Sequence, residues 1–287
     1  MRDLLKELLD LLQLESLKTD VYLGQSQDLG WGRVFGGQVI AQSMTAANNT
    51  VDKPRVLHSL HGYFLRPGDT HFPIEYRVER MRDGGTFSFR RVVAHQQDQA
   101  IFVMSASFQV PEEGFEHQFE MPKVAGPENL PSELELRRKR SHMVPEKIRQ
   151  VFISDRPFEV RPVDPVDPFK PEKKSPYSYS WVRPVGQLPT DPMLNKCLLA
   201  YISDWDLVNT CLLPHGATTF SNRMQIASLD HAMWFHHSFT MEDWILYAHD
   251  SPSASSGRGL NRGNFFTRNG KLISSVTQES LIRIKKS

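Results

Sequence analysis

Hydrophobic residues in the first third of the chain recur first at helical spacing and then at strand spacing. Leu5, Leu8 and Leu12 mark an amphipathic N-terminal helix, and a second helical pattern runs from Gly36-Gly37 to about Asn49. Three β-rich stretches follow, the last folded at a polar turn: residues 56–65, 74–82 and 86–110. The pattern predicts a helix followed by long antiparallel strands.

The same succession returns after a segment with little periodicity. Residues 112–150 are rich in Pro, Glu and basic residues and contain one predicted charged helix, Ser132–Arg140, so this segment is predicted to be a linker. Strand patterns then precede a helical stretch that begins at Asp191-Pro192, the favoured order of a cap and a first-turn proline. The β-rich stretches that complete this half are residues 224–236, 244–249 and 255–284. We predict two structural units, residues 1–111 and 151–287.

Two pairs of positions support an internal repeat with a constant offset. Ser59 and Ser228 lie in similar strand segments 169 residues apart, and Asp204 follows Phe35 by the same distance. Near the last strand the match is ambiguous, because Gln278 aligns with either Ser107 or Gln109. A helix followed by antiparallel strands predicts a sheet wrapped around that helix, the hotdog arrangement. The predicted fold class is therefore α+β, a double hotdog whose two sheets can join edge to edge.

Composition narrows the classes of partner. The 287 residues are 39% hydrophobic and carry a net charge of +1, so the chain has the core of a globular protein and no field that would attract nucleic acid. The longest apolar run is about six residues, far short of the roughly 20 that span a bilayer. Two cysteines in a chain of this length indicate a reducing compartment, so we expect a cytoplasmic location.

Long blocks of the sequence resemble the acyl-CoA thioesterase II family. They are VFGGQVIAQS (34–43), HSLHGYFLRPGD (58–69), FSFRRVVA (87–94), DRPFEVRPV (155–163), IASLDHAMWFH (226–236) and SSGRGLNRGNFFTRNGKLISSVTQE (255–279). The resemblance implies a fatty acyl-CoA substrate, no cofactor, no metal, and a homo-oligomer, either dimer or tetramer. It also implies a catalytic group from the second hotdog, which here falls on Asp204, Ser228 and Gln278. Bacterial relatives often have Thr where this chain has Ser228.

These residue types suit thioester hydrolysis. A thiol of pKa about 8.5 leaves readily, so the reaction needs chiefly a positioned water and a stabilised oxyanion. We expect Asp204 to take a proton from a water that the Ser228 hydroxyl and the Gln278 amide orient. The helical stretch 191–213 should then break near Asp204, placing this residue at the start of the helix inside the second sheet, where free N–H groups can polarise the carbonyl.

Other functions stay open on the sequence alone. One is a hotdog enoyl-CoA hydratase or dehydratase, which needs a paired carboxylate and histidine, and another is a non-catalytic acyl-CoA-binding protein. A local triad of Ser228, Asp230 and His231 is not expected, because in a regular strand Asp230 shares the face of Ser228 while His231 points away. His231 and His236 are expected to be core or surface residues rather than metal ligands.

The basic and glycine-rich motifs have open or structural interpretations. The run 137–140 and the pair Arg258 and Arg262 are candidates for binding the phosphates of CoA, although such a run on a linker helix is more often a solvated face. His58, beside Ser59, either lines the site or packs in the core. Gly36-Gly37 does not belong to a G-x-G-x-x-G fingerprint and is expected to let its helix lie close to the sheet.

Overall fold

The computed structural model describes residues 3–221 and 224–285, so residues 1 and 287, the outer limits of the predicted units, lie outside the described residues. The α-helices are α1 (Leu4–Leu11), α2 (Gly36–Asn48), α3 (Glu133–Lys139), α4 (Glu146–Phe152) and α5 (Pro192–Ser203), and the 3₁₀ helices are Pro127–Asn129, Ser141–Met143 and Leu207–His215. The strands are β1 (Glu15–Lys18), β2 (Val21–Gly24), β3 (Val56–Phe64), β4 (Ile74–Asp83), β5 (Phe87–Gln96), β6 (Gln99–Gln109), β7 (Phe158–Pro162), β8 (Tyr177–Pro184), β9 (Met224–Ser228), β10 (Asp230–Phe235), β11 (Ile245–Ser255), β12 (Arg258–Thr267) and β13 (Leu272–Ile284).

One antiparallel sheet runs through both halves of the chain. Its order is β1-β2-β4-β5-β6-β3-β10-β13-β12-β11-β8-β7, and β9 pairs with β13. The order β2-β4-β5-β6-β3 in the first half corresponds to β8-β11-β12-β13-β10 in the second. The halves meet where β3 pairs with β10, from Tyr63 opposite Asp230 to Ser59 opposite Trp234. The predicted repeat and its edge-to-edge junction are confirmed, and the division into units stays a proposal.

Each half of the sheet curves around a helical segment. In the first half this segment is α2, which is buried on nearly all sides because it packs against α5 and strands β4, β5 and β6. In the second half it is the 3₁₀ helix Leu207–His215, which packs on β11 and β12. A single core cluster contains residues of α1, α2, α5 and both halves of the sheet. The helices therefore form the inner layer of the predicted double hotdog.

The second helical stretch breaks where the sequence predicted. Helix α5 ends at Ser203, and the next helix begins at Leu207. Asp204 is the C-terminal cap of α5, and Asp206 has a left-handed backbone with φ 63°. The expectation that Asp204 opens the helix inside the second sheet is wrong, because two more residues of irregular backbone follow it. The side chain of Asp204 therefore projects from a turn between two helices.

The linker packs on the outer face of the second half. The predicted charged helix is α3, which begins at a capping box between Ser132 and Glu135. The part of the linker before α3 also contacts the sheet. The indole N–H of Trp181 in β8 donates to the carbonyl of Ala125, and the Phe119 ring lies 5.7 Å from the ring of Phe266 in β12. Helix α4 was not predicted from the sequence. Within the described part of the chain, none of the helices has the length and apolar character to cross a bilayer.

Both cysteines are buried and unpaired. Cys197 lies in α5 and Cys211 in the following 3₁₀ helix. Burial raises the pKa of Cys197 to about 12, and it also raises the pKa of Cys211. Because the thiolate is the reactive form, both side chains are expected to be inert at neutral pH.

Candidate active site

The structure brings the three predicted site residues into direct contact. Asp204 lies in the turn after α5, Ser228 ends β9, and Gln278 lies in the middle of β13. The Ser228 hydroxyl donates to Asp204 Oδ1 at 3.2 Å, and Gln278 Nε2 donates to Ser228 Oγ at 3.0 Å. A carboxylate, a hydroxyl and an amide therefore form one hydrogen-bonded cluster, although they are distant in the sequence.

A β-bulge shapes the cluster on its strand side. Ser228 pairs with Ser280 and Ala232 pairs with Thr277, so four steps along one strand face three along the other. The break between β9 and β10 falls at Leu229, whose N–H donates to the Glu279 carbonyl. An extra residue reverses the alternation of side chains that a regular strand would impose.

The bulge places His231 on the same side as Ser228, so the expectation that it points away is wrong. His231 Nδ1 lies 2.7 Å from Gln278 Oε1, and its Nε2 lies 2.9 Å from Ser203 Oγ. The ring is fully buried, as a core histidine would be, and burial lowers its pKa to about 4. Asp230 instead accepts from the Glu279 N–H at 2.6 Å. The local serine-hydrolase triad does not form, since the Ser228 hydroxyl is bonded to Asp204.

The Asp204 carboxyl group lies at the contact between the two halves. Its Oδ2 accepts from the backbone N–H of Gly37, in the first turn of α2, at 3.1 Å. Burial raises the pKa of Asp204 to about 7, against the opposing effect of the hydrogen bonds from Ser228 and Gly37. Because an ionised carboxylate near neutral pH is the form a general base needs, this pKa lies in the useful range.

The glycine pair at the start of α2 allows this approach. A Cβ on Gly36 would lie 2.6 Å from Asp204 Oδ2, and one on Gly37 would lie 2.2 Å from the carbonyl oxygen of Tyr201. Both contacts are closer than real Cβ atoms permit. The expectation that these glycines admit the helix to the sheet holds for Gly36, whose Cβ would also lie 2.9 Å from the Phe64 ring of β3, whereas Gly37 approaches the end of α5.

Aromatic rings enclose the site beside Asp204. The Phe35 ring lies 4.9 Å from Tyr201 and 5.9 Å from Trp205, the residue that follows Asp204. The Trp31 indole lies 5.7 Å from Trp205, and the Arg156 guanidinium is 5.8 and 5.7 Å from these two rings. This apolar wall adjoins the polar cluster and is suited to contact an acyl chain.

The remaining candidates from the sequence lie elsewhere. His58 Nε2 bonds to Ser107 Oγ at 2.8 Å, and His236 bonds to Ser275 Oγ at 3.0 Å. The arginines proposed for CoA form ion pairs with the protein's own carboxylates: Arg137 with Glu133, Arg138 with Asp155, Arg140 with Asp167, Arg258 with Glu279 and Arg262 with Asp250. Phosphate binding by these arginines would compete with those pairs.

Comparison with known proteins supports the family resemblance of the sequence. The family model described as acyl-CoA thioesterase matches residues 147–281, and the one described as the acyl-CoA thioesterase N-terminal domain matches residues 26–109. The sequence is 43% identical to acyl-CoA thioesterase 2 of Haemophilus influenzae, over 99% of both chains. This chain belongs to the acyl-CoA thioesterase family.

Other proteins also resemble this thioesterase along nearly its whole length. The chain is 39% identical to acyl-coenzyme A thioesterase 8 of Mus musculus, over 96% of this chain and 88% of that protein. An acyl-CoA thioesterase II structure from Mycobacterium marinum superimposes with a TM-score of 0.81 at 40% identity, over 97% of this chain and 99% of that one. A hotdog protein from Alicyclobacillus acidocaldarius shares the fold at 18% identity, with a TM-score of 0.77 and coverage of 98% and 99%. The double hotdog predicted from the sequence is confirmed.

Proposed function

We propose that this thioesterase hydrolyses fatty acyl-CoA to free fatty acid and CoA, with Asp204, Ser228 and Gln278 as its catalytic residues. The observation that carries the proposal is the hydrogen-bonded cluster of these three side chains beside an aromatic wall. The relatives from Haemophilus influenzae and Mus musculus are both named acyl-CoA thioesterases, which supports an acyl-CoA substrate. The raised pKa of Asp204 supports its role as the base.

In the proposed reaction a water attacks the thioester carbonyl carbon. Asp204 takes a proton as the new C–O bond forms, while the Ser228 hydroxyl and the Gln278 amide orient the water. The tetrahedral intermediate then expels CoA as a thiolate when the C–S bond breaks. The proton held by Asp204 passes to the thiolate or to solvent, so the carboxylate is regenerated. This route requires only the three side chains and water.

Replacement of the proposed base gives the direct test. We expect Asp204→Asn to lower kcat for saturated acyl-CoA at least ~100-fold, because the amide cannot accept the proton of water. The release of free thiol measures the rate, and circular dichroism checks the fold. Asp191→Asn is the matched control, since Asp191 caps the other end of α5 and Asn caps a helix equally well. Turnover of Asp204→Asn within a few-fold of the wild type would contradict the proposal.

The same assay separates the other candidate functions. A dehydratase domain from Pseudomonas fluorescens shares this fold at 11% identity with a TM-score of 0.54, so the fold alone does not decide the chemistry. A hydratase would remove the absorbance of enoyl-CoA without releasing thiol, and a binding protein would do neither. Both ring nitrogens of His231 already have partners, which argues against its pairing with Asp204 for hydration.

Two further features belong to the proposal. The cytoplasmic location rests on the two unpaired cysteines, and both of these are buried thiols. The homo-oligomer, dimer or tetramer, rests on the resemblance to the family. Sedimentation of the purified protein measures the oligomer, and a molecular mass equal to that of one chain would contradict it.

A further inference from the structure

The hydroxyl and amide groups behind Asp204 continue inward to a buried histidine. Gln278 Nε2 donates to Ser228 Oγ at 3.0 Å and lies 3.3 Å from Ser280 Oγ, while its Oε1 faces His231 Nδ1 at 2.7 Å. Both Gln278 and His231 are fully buried. The orientation of the Gln278 amide is therefore decided by protein groups rather than by solvent.

The chemistry of these groups fixes the direction of the hydrogen bond between His231 and Gln278. The Gln278 oxygen can only accept, so His231 Nδ1 must carry the ring proton. In the neutral ring Nε2 is then an acceptor, and the Ser203 hydroxyl lies 2.9 Å from Nε2 and donates to the Ala200 carbonyl at 2.8 Å, so its single proton is shared between two acceptors. From His231 each group donates to the next, first to Gln278, then to Ser228 and finally to the Asp204 carboxylate, where the series ends.

We propose that His231 is a positioning residue for thioester hydrolysis, because its Nδ1–H holds the Gln278 amide with its N–H groups toward Ser228. The inference rests on the proposed function of the Asp204 cluster. Without the Nδ1 donor nothing selects between the two orientations of the Gln278 amide, because either its oxygen or its N–H groups then lack a partner, and in the rotated orientation the oxygen faces Ser228. The Ser228 hydroxyl then donates to Gln278 rather than toward Asp204, so the groups that orient the water are reversed.

The neutral state of the ring fits this role. The low pKa of His231 means that the ring stays uncharged at pH 5 and above. It therefore donates through one nitrogen and accepts through the other at any pH where Asp204 can act. In the 169-residue repeat the corresponding residue is Gly62, which has no donor side chain, so this device belongs to the second half alone.

Paired substitutions test the role while preserving a polar side chain. His231→Asn keeps an N–H donor near the position of Nδ1, so we expect kcat within ~3-fold of the wild type. His231→Gln carries its amide farther out, toward Ser203, and His231→Leu has no donor. For both variants we expect kcat to fall ~10-fold or more and KM to stay within ~2-fold of the wild type. Losses of this size are typical when a residue that orients a catalytic group is removed. His236→Leu, on the outer face of the same sheet, is the control and should keep the wild-type rate.

A double-mutant cycle shows whether His231 acts through Gln278. In a Gln278→Ala background, His231→Gln should lower kcat by less than ~2-fold, because the amide that His231 orients is already absent. Additive losses, equal rates for the Asn and Gln variants, or wild-type kcat in a folded His231→Gln protein would each overturn the inference. Asp204→Asn is measured alongside. Full activity in Asp204→Asn would overturn the proposed function, whereas its loss together with an unaffected His231→Gln would overturn only the role of His231.

Discussion

The two halves of the sheet have the same strand order but opposite chemistry at corresponding positions. The first half has Phe35 where the second has Asp204. Tyr63 and Ala232 correspond in the 169-residue repeat, and their partners on the neighbouring strands are Val103 and Thr277. The residues that follow these partners, buried Met104 and Gln278, therefore correspond as well. Neither Ser107 nor Gln109, the two counterparts expected from the sequence, holds that place. Only the serines, 59 and 228, are shared.

The difference lies in the helix as much as in the side chains. Helix α2 begins at Gly36 directly after Phe35, and it presents a backbone N–H to the carboxylate of the other half. The corresponding segment of the second half is a 3₁₀ helix that begins three residues after the α5 cap, Asp204. One half therefore supplies a regular helix end, and the other supplies an irregular turn that carries the acid. The three proposed catalytic side chains belong to the second half, and the first half adds the Gly37 N–H.

A substitution that gives the first half a carboxylate is expected to have the largest effect. Phe35 is 7% exposed and packs on Trp31, Tyr201 and Trp205. Phe35→Asp removes this packing and buries a second charge near Asp204, so we expect a loss of about 4 kcal/mol or more in unfolding free energy, without a second active site. Urea unfolding measures the loss. Phe35→Leu, which keeps most of the apolar volume, should lose about 1 kcal/mol.

This comparison also shows how far the sequence could lead. The double hotdog with its edge-to-edge junction followed from the repeat of helix and β-rich stretches, and the identities of Asp204, Ser228 and Gln278 came from resemblance to a family. Neither periodicity nor spacing could place His231 beside Gln278, because the bulge at Leu229 reverses the alternation on which such reasoning depends. The hydrogen bond from the Gly37 N–H of α2 to Asp204 could not be predicted either, since every residue except proline has a backbone N–H and the sequence does not show which one is used.

The contact between the halves can be tested at the glycine pair. A methyl group on Gly37 would meet the Tyr201 carbonyl at 2.2 Å, a backbone atom that cannot move without shifting α5. We expect Gly37→Ala to lower the unfolding free energy by about 2–3 kcal/mol and to lower kcat with it. Gly85→Ala is the control, because nothing lies within 4 Å of its Cβ position. An unchanged Tm in Gly37→Ala would show that this close approach is not required.

The pH dependence of hydrolysis examines the acid of the second half. With the pKa of Asp204 at about 7, kcat/KM should fall about tenfold for each pH unit below 7, because protonated Asp204 cannot accept a proton. His231 does not titrate in this range, since its pKa lies near 4. Initial rates between pH 5 and 9 measure this fall in kcat/KM on the acid side of the profile. Activity that falls only near pH 4, the ordinary pKa of a carboxyl group, would show that burial does not raise the pKa of Asp204.

The smallest expected effect is on stability, and it has the opposite sign to the effect on activity. Because the folded pKa of Asp204 is raised above the unfolded value of about 4, its contribution to stability is complete below pH 4 and is lost as the pH rises to 7. Asp204→Asn avoids this loss. We expect this variant to unfold at a higher Tm than the wild type at pH 8. The expected gain in unfolding free energy is only about 1 kcal/mol, because the side chain of Asp204 is half-buried and solvent screens its charge. This corresponds to roughly 2–4 °C. The gain should shrink as the pH falls toward 4. A gain that is constant with pH would mean that ionisation of Asp204 does not destabilise the folded protein.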